Sequence, residues 1–280
     1  MRREQVVLVT GSSSGIGLAT AQEAARRGHR VYASARNPEA AAELLGTPNI
    51  RASRLDVTEV GATARAVQEI LGKEGRLDAL VNNAGYAQYG AIEDVSPEQW
   101  RRQYEVTVFG AIEAIRAALP PMRQARHGTI VNISSVGGKV TIPFAAPYCS
   151  AKHALESISD SLRVEVAAFG VRVVVVEPGP IETRFEQRAL AEVDGILHRT
   201  GPYSPFYGGA ERAMKGEFAI GRLPAAAVGR VVLDAIEADA PKARYRVTTM
   251  AKLLIPLRSL LPDRLFDASL RRTLKLPDRV

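Results

Sequence analysis

The sequence predicts an α/β protein built on a doubly wound parallel sheet with helices on both faces, and three observations predict it. Short apolar runs, starting near Val6, Arg30, Ile50, Leu77, Thr129 and Val171, alternate with longer stretches of helical pattern. The run from Val171 to Val176 is almost continuous in β-branched residues, the mark of a strand buried on both faces. Gly11, Arg36, Asp56, Asn83, Ser135 and Pro178-Gly179 each stand just past one of these runs. Right-handed crossovers gather such strand ends along one edge of the sheet, where a fold of this kind binds its ligands. The 280 residues and 46% hydrophobic content fit one large domain, placed at residues 1–250 with a basic extension at 251–280.

Taken in order, Val6–Val9 breaks into Thr10-Gly11-Ser12-Ser13-Ser14-Gly15-Ile16-Gly17 and then into an alanine-rich helical pattern, which is strand, tight turn and helix. Gly28 closes that helix, Arg30–Ser34 forms the second strand, and Asn37-Pro38-Glu39 supplies the cap, proline and acid that open another helix. A third strand spans Ile50–Leu55, a helix follows to about Lys73, and Leu77–Val81 runs into Asn82-Asn83-Ala84-Gly85. Ser96-Pro97-Glu98-Gln99 is a capping box with proline at its first position; it predicts a long helix reaching Leu119, stopped by Pro120-Pro121. Thr129–Ile133 is the next strand, a second long helix spans Tyr148 to Phe169, and Gly170 ends it. Between Glu182 and Leu223 the rhythm lapses.

Composition narrows the partners. The formal charge is +7, but from Lys242 onward ten Lys/Arg stand against three Asp, so the whole excess lies in the tail and the fold before it is neutral. That excludes a basic nucleic-acid-binding fold. Cys149 is alone, no charged-then-apolar leader precedes the first strand, and no apolar run approaches the roughly 20 residues of a membrane span, so the expectation is a cytoplasmic protein. His29, His127, His153 and His198 lack metal-ligand spacing, and no metal site is expected.

The glycine turn fits an anion. Glycines at 11, 15 and 17 let the backbone turn sharply, while the first N–H groups of the helix point outward at a pyrophosphate. Gly11-Ser12-Ser13-Ser14-Gly15 also matches the Gly-x-Ser-x-Gly elbow of serine hydrolases, but that fold takes an oxyanion donor from an earlier strand, and only ten residues precede Gly11. Tyr148 and Lys152 lie four apart on one helix face, an arrangement in which an ammonium favours the phenolate, and Ser135 follows another strand end within reach of the same substrate oxygen.

Thr10-Gly11-x-x-x-Gly15-Ile16-Gly17, Asn82-Asn83-Ala84-Gly85, Ile133-Ser134-Ser135, Tyr148-x-x-x-Lys152 and Pro178-Gly179, in this order, resemble the short-chain dehydrogenase/reductase family over residues 5–183. The resemblance implies a Rossmann fold and hydride transfer between a nicotinamide cofactor and a carbonyl or alcohol. It assigns Tyr148 to proton exchange, Ser135 to polarising the substrate oxygen, and Lys152 to lowering the tyrosine pKa and holding the nicotinamide ribose. It also implies cofactor contacts from Gly11, Ser13, Ser14, Gly15, Ile16, Gly17, Asp56, Val57, Asn83, Ala84, Gly85, Pro178, Gly179, Ile181 and Thr183. Asp56-Val57, Ser135-Val136-Gly137-Gly138 and Glu177-Pro178-Gly179-Pro180 are similar to hydroxysteroid and retinol dehydrogenases. One departure stands out: the family's asparagine in the helix before the serine strand is Thr107 here, within Glu105-Val106-Thr107-Val108-Phe109-Gly110, which puts the usual water-mediated proton relay in doubt.

Further expectations follow. Arg36 takes the place where an NAD site carries an acid for the ribose hydroxyl, so the cofactor is expected to be NADP(H), its 2′-phosphate gripped by Arg36 with help from Ser13 or Ser14. Phe185, Tyr203, Phe206 and Tyr207 in a substrate loop over 182–223, with Tyr86, Tyr89 and Phe144, point to an apolar small-molecule alcohol or ketone. In the tail, a short helix from Pro262 puts Leu265, Phe266, Ser269, Leu270 and Leu274 near one face; its apolar side either docks on the enzyme or a sister subunit, closing over the substrate loop, or meets an anionic membrane surface peripherally. A homodimer or homotetramer through the two long helices is expected. The competing function is a non-catalytic NADP-binding sensor or scaffold, against which the intact Ser135, Tyr148 and Lys152 argue.

Overall fold

The computed structural model describes residues 3–37, 44, 46–183, 201–214 and 221–276. In it Val6–Thr10 forms β1, Gly15–Arg26 forms α1, Arg30–Ala35 forms β2 and Ile50–Arg54 forms β3. Next come α2 (Ala62–Glu74), β4 (Ala79–Asn82), α3 (Pro97–Tyr104), a π-helical turn (Glu105–Phe109), α4 (Gly110–Ala125) and β5 (Gly128–Ile133). Then come α5 (Ala146–Val166), β6 (Val171–Glu177), the short β7 (Ile181–Glu182), α6 (Ser204–Met214), β8 (Leu223–Pro224), α7 (Ala225–Glu237), β9 (Arg244–Arg246), α8 (Thr249–Leu260) and α9 (Asp263–Thr273).

Seven strands make one parallel sheet in the order β3-β2-β1-β4-β5-β6-β9, while β7 and β8 pair separately. This is the Rossmann α/β arrangement. The alternation within β1 shows how the two layers form. Val7 and Val9 face a core with α1 and α7, and Val6 and Leu8 face the opposite core with α2, α4 and α5. Both sets are buried, which is why the strand sequence is apolar at every position rather than alternating. The order reverses between β1 and β4, and the crevice above their carboxyl ends is where such a sheet receives a ligand.

The capping box at Ser96 forms as expected, with Gln99 N donating to Ser96 Oγ and Ser96 N donating back to Gln99 Oε1. The helix it opens differs from the expectation in two ways. It passes through a π-helical turn at Glu105–Phe109, and Pro120-Pro121 does not stop it; α4 runs on to Ala125 and ends where Arg126 turns left-handed at φ 50°. The prolines remove the bonds to the carbonyls of Arg116 and Ala117, at about 3 kcal/mol for an interior proline. The helix survives because Ala118 and Met122 are fully buried beneath it, while Pro120 lies on the solvent side where water can serve the freed carbonyls. The helix expected to open at Asn37-Pro38-Glu39 lies outside the described residues.

The tail brings a second correction. A helix does follow Pro262, and its Phe266 and Leu274 are buried, with Phe266 packing on Val136, Val140, Ala251 and Ile255. Leu265, expected on that same face, is 59% exposed, and Ser269 is exposed as well. Helical geometry explains this: the docked face is narrower than the apolar stripe.

Candidate active site

The site is built from loops at the carboxyl ends of β1 to β6, around a cleft of about 580 Å³. After β1 the chain turns at Gly11 (φ 70°) and Gly15 (φ 59°), conformations that other residues rarely adopt. A Cβ on Gly11 would fall 2.7 Å from Ala84 Cα, so the turn can lie against β4 only as glycine. Ser14 occupies the cap of α1 in extended conformation but makes no side-chain cap bond, so the N-terminal amides of α1 are left to an incoming anion. Ser12 faces inward instead, donating to Val9 O at 2.9 Å. Asn83 staples the turn: its Nδ2 donates to Thr10 O and Gly11 O at 3.0 Å each, while Asn83 N and Ala84 N donate to Thr10 Oγ1 at 3.1 Å.

Further along the same wall stand Ala35, Arg36 and Asn37, then Leu55, Asp56 and Val57. Arg36 is exposed. Asp56 Oδ1 accepts from Thr58 N (3.0 Å) and Thr58 Oγ1 (2.7 Å). Burial pushes the Asp56 carboxyl up, but these two bonds and the charges of Arg36 and Arg54 outweigh it and hold the group below its usual value.

At the other end Ser135, Tyr148 and Lys152 share the cleft wall. Ser135 Oγ accepts from Gly137 N at 3.0 Å, which fixes the hydroxyl. Burial pushes the Tyr148 phenol up, and a hydrogen bond with Ser135 works against it. Lys152 Nζ donates to Ile133 O at 2.7 Å and stands 6.0 Å from the centroid of the Tyr148 ring. Burial pulls its pKa down to about 8, with Glu156 opposing the shift. Cys149, next to Tyr148, is buried and its thiol is pushed up by that burial, the opposite of what a nucleophile needs.

Thr107 sits in the π-helical turn and accepts from Gln103 Nε2 at 2.8 Å. Gln103 is fully buried and also holds the loop beside the site, donating to Tyr86 O (3.1 Å) and accepting from Gln88 N (2.8 Å). Between Thr107 and Lys152 lies a void of about 10 Å³, also lined by Thr10 and Asn82, with room for one water. Asn82 Oδ1 is buried there without a protein partner.

Of the residues expected from the sequence, the cleft gathers Gly11, Ser13, Ser14, Gly15, Ile16, Arg36, Asp56, Val57, Asn83, Ala84, Gly85, Ser135, Tyr148, Lys152, Pro178, Gly179, Ile181 and Thr183. Gly17 is instead buried beneath the turn, where a side chain would collide with Gly11 O and the Asn83 amide. Gln103 and Arg102 were missed, and Thr10, though part of the glycine motif, was given no role. Arg102 lines the cleft with its guanidinium 5.7 Å from the Tyr86 ring centroid, and on a solvent-facing helix turn nothing in the sequence marks it. Of the aromatics expected around the substrate, Tyr86 lines the cleft, whereas the others pack on one another: Phe144 stands 5.3 Å from Tyr207 and 6.4 Å from Phe206, and Tyr89, Ala91 and Tyr203 complete the group. Phe144 is held at φ 65°, a strained conformation for a bulky residue and four positions before Tyr148. Phe185 lies outside the described residues.

Comparison with known proteins agrees with this geometry. The family model described as short chain dehydrogenase matches residues 5–194. The chain is 37% identical over 277 residues to an NADPH-dependent 3-dehydrocapnine reductase of Ornithobacterium rhinotracheale, covering 96% of both chains. It is 34% identical over 269 residues to a 3-ketodihydrosphingosine reductase of Bacteroides thetaiotaomicron, covering 95% of this chain and 97% of the other. A short-chain dehydrogenase structure from Streptomyces avermitilis superposes with a TM-score of 0.81 at 30% identity, covering 99% of this chain and 98% of that one. The chain therefore belongs to the short-chain dehydrogenase family and is an oxidoreductase that works with a nicotinamide nucleotide.

Proposed function

We propose that this enzyme is an NADP(H)-dependent reductase of a ketone carried on an aliphatic chain. The observation that carries the reading is the joining of Ser135, Tyr148 and Lys152, on one wall, to a cleft that ends at Arg36. The cleft fits the dinucleotide: uncapped amides and positive-φ glycines suit its pyrophosphate, and Arg36 with Ser13 suits a 2′-phosphate. When bound, the nicotinamide supplies the reducing equivalent. The relatives' names, a 3-ketodihydrosphingosine reductase and a 3-dehydrocapnine reductase, support the direction and the substrate class.

The chain's own residues then divide the proton chemistry. Ser135, oriented by Gly137 N, holds the carbonyl oxygen. Tyr148, kept protonated by its surroundings, is the acid that delivers a proton to that oxygen. Lys152, charged below about pH 8, stabilises the phenolate left behind. Thr107 and Asn82 face the water-sized void behind Lys152, so a water there links the lysine to Thr107 as the family's asparagine otherwise would. For subunit contacts we place the interface on the outer sides of the long helices, where Phe109 and Val164 are 50% and 75% exposed. The test of function is NADPH consumption with a panel of ketones of increasing chain length, run beside NADH. Activity rising with chain length supports the reading; tight NADPH binding without turnover of any ketone overturns it.

A further inference from the structure

The tail carries an apolar row that its docking does not cover. Leu253, Leu257 and Leu260 are 59%, 44% and 79% exposed and stand at i, i+4 and i+7 on α8, and Leu265 at the start of α9 is 59% exposed. The opposite side of α8 is fixed. Ala251 and Ile255 are buried against Val136, Val140 and Phe266. Arg258 clamps the α8–α9 corner through Asp263 at 2.7 Å and lies 4.8 Å from the Phe266 ring centroid. The leucines therefore face outward because the packed side dictates it, and no rotation of α8 would hide them without exposing the core. Around the row, Lys252, Arg264, Arg272 and Lys275 are exposed, within the segment that holds the chain's entire positive excess.

We propose that this face of α8 and α9 seats on an anionic phospholipid bilayer, the leucines entering the headgroup boundary and the basic residues meeting lipid phosphate. An apolar row with flanking Lys and Arg on a helix too short to span is the signature of in-plane membrane contact. A second copy of the chain fits worse, since a twofold contact through this row would set the basic cluster against itself. The place of the seat gives it a use. The buried side of α8 and α9 packs on Val136 and Val140, immediately after Ser135, and Leu274 reaches α6, where Gly209 leaves room for its carbonyl. The seat is thus joined to the wall that frames the catalytic serine, so an enzyme seated there works beside the phase in which an aliphatic ketone dissolves. The seat rests on the surface itself, and only its use rests on the substrate reading above.

The experiment is co-sedimentation of the full-length chain with phosphatidylglycerol/phosphatidylcholine vesicles and with pure phosphatidylcholine vesicles, across ionic strength. The expected result is binding to the anionic vesicles at low salt, falling as salt rises, and at least about tenfold weaker binding to neutral vesicles. Leu253→Ser/Leu257→Ser/Leu260→Ser should weaken vesicle binding by at least about tenfold, with an unchanged melting profile and NADPH affinity to show that it folds. Lys252→Gln/Arg264→Gln should flatten the salt dependence and leave the fold untouched. Failure of the wild-type chain to sediment at low salt overturns the proposal. So does a leucine variant that binds as well as wild type, or one that instead turns a dimer into a monomer by light scattering, which would make the row a subunit contact. Turnover of a short water-soluble ketone, measured without vesicles, tests the catalytic reading separately.

Discussion

Replacing Arg36 by alanine tests how the cleft chooses its cofactor. Arg36 is exposed on the cleft wall after β2, so truncating it removes no core packing and should change folding stability by under about 0.5 kcal/mol. A charge-assisted bond from a guanidinium to a phosphate contributes about 1.5–3 kcal/mol, or roughly 10- to 150-fold in affinity. A second effect acts in the same direction. Arg36 helps keep Asp56 ionised, and without it that carboxylate would face the 2′-phosphate with less compensation. The cleft is open to water there, so this repulsion adds less than about 1 kcal/mol and the lost contact dominates. Titration of NADPH and NADH against both proteins at one fixed salt concentration should show a 10- to 150-fold loss for NADPH (roughly, by the figures above) and little change for NADH. Equal losses for the two nucleotides, or an unchanged NADPH affinity, would refute the assignment of Arg36 to the 2′-phosphate.

Tyr148→Phe should reduce turnover by several orders of magnitude while leaving NADPH affinity intact, because only the proton-transferring hydroxyl is lost; steady-state kinetics with a binding titration checks both. Thr107→Asn should be neutral or mildly activating, since the new amide reaches into the same water-sized void, and a large loss of turnover would show that the threonine hydroxyl and its bond from Gln103 are required. The rate constant kcat/KM for reduction should fall as pH rises through about 8, where Lys152 loses its charge. In the same protein, stability should gain with pH between about 8 and the lysine's ordinary 10.5, because there the unfolded chain holds a proton that the native one has released; Lys152→Met should lack both effects in a pH series of rates and melts.

The strands of the sheet interior were legible because each is buried on both faces and so is written as an apolar run, Val6–Val9 and Val173–Val176 most plainly. The edge strand Arg244–Arg246 has no such run. Its two arginines pair with Glu156, Asp160 and Glu177, residues 67 to 88 positions away, and pairing at that range leaves no local pattern. That the glycine turn, Ser135, Tyr148 and Lys152 would share one cleft was legible from the family resemblance, whose motifs set each just past a strand end; the spacing of Tyr148 and Lys152 alone would not have marked them. Gln103 was not: a glutamine in a helix is ordinary until burial and its bonds to Thr107, Tyr86 and Gln88 reveal what it holds. The π-helical turn that presents Thr107 likewise follows from packing rather than from any preference of Glu105–Phe109.

The edge strand also shows how the tail is tied to the cleft wall. Glu156 lies one helical turn beyond Lys152, and Glu177 immediately precedes Pro178; both are buried. Burial pushes the Glu177 carboxyl up and Glu156 adds to that, while Arg246, Arg244 and Lys139 pull it back. Arg244 reaches Glu156 at 3.1 Å, Glu177 at 3.4 Å and Asp160 at 2.6 Å. Buried charges of this kind give little net stability compared with an apolar core, so what the network supplies is position: it locks the helix of Tyr148 and Lys152, the strand leading to Pro178-Gly179 and the strand leading to α8 into one register. The next step of the chain repeats the coupling. Thr248 caps α8 by accepting from Ala251 N, and its hydroxyl fills the space where a side chain on Gly179 would sit. Gly179 thus serves two partners, lining the cleft on one side and admitting Thr248 on the other, so the position that shapes the cleft wall also sets where α8 begins and its leucine face points.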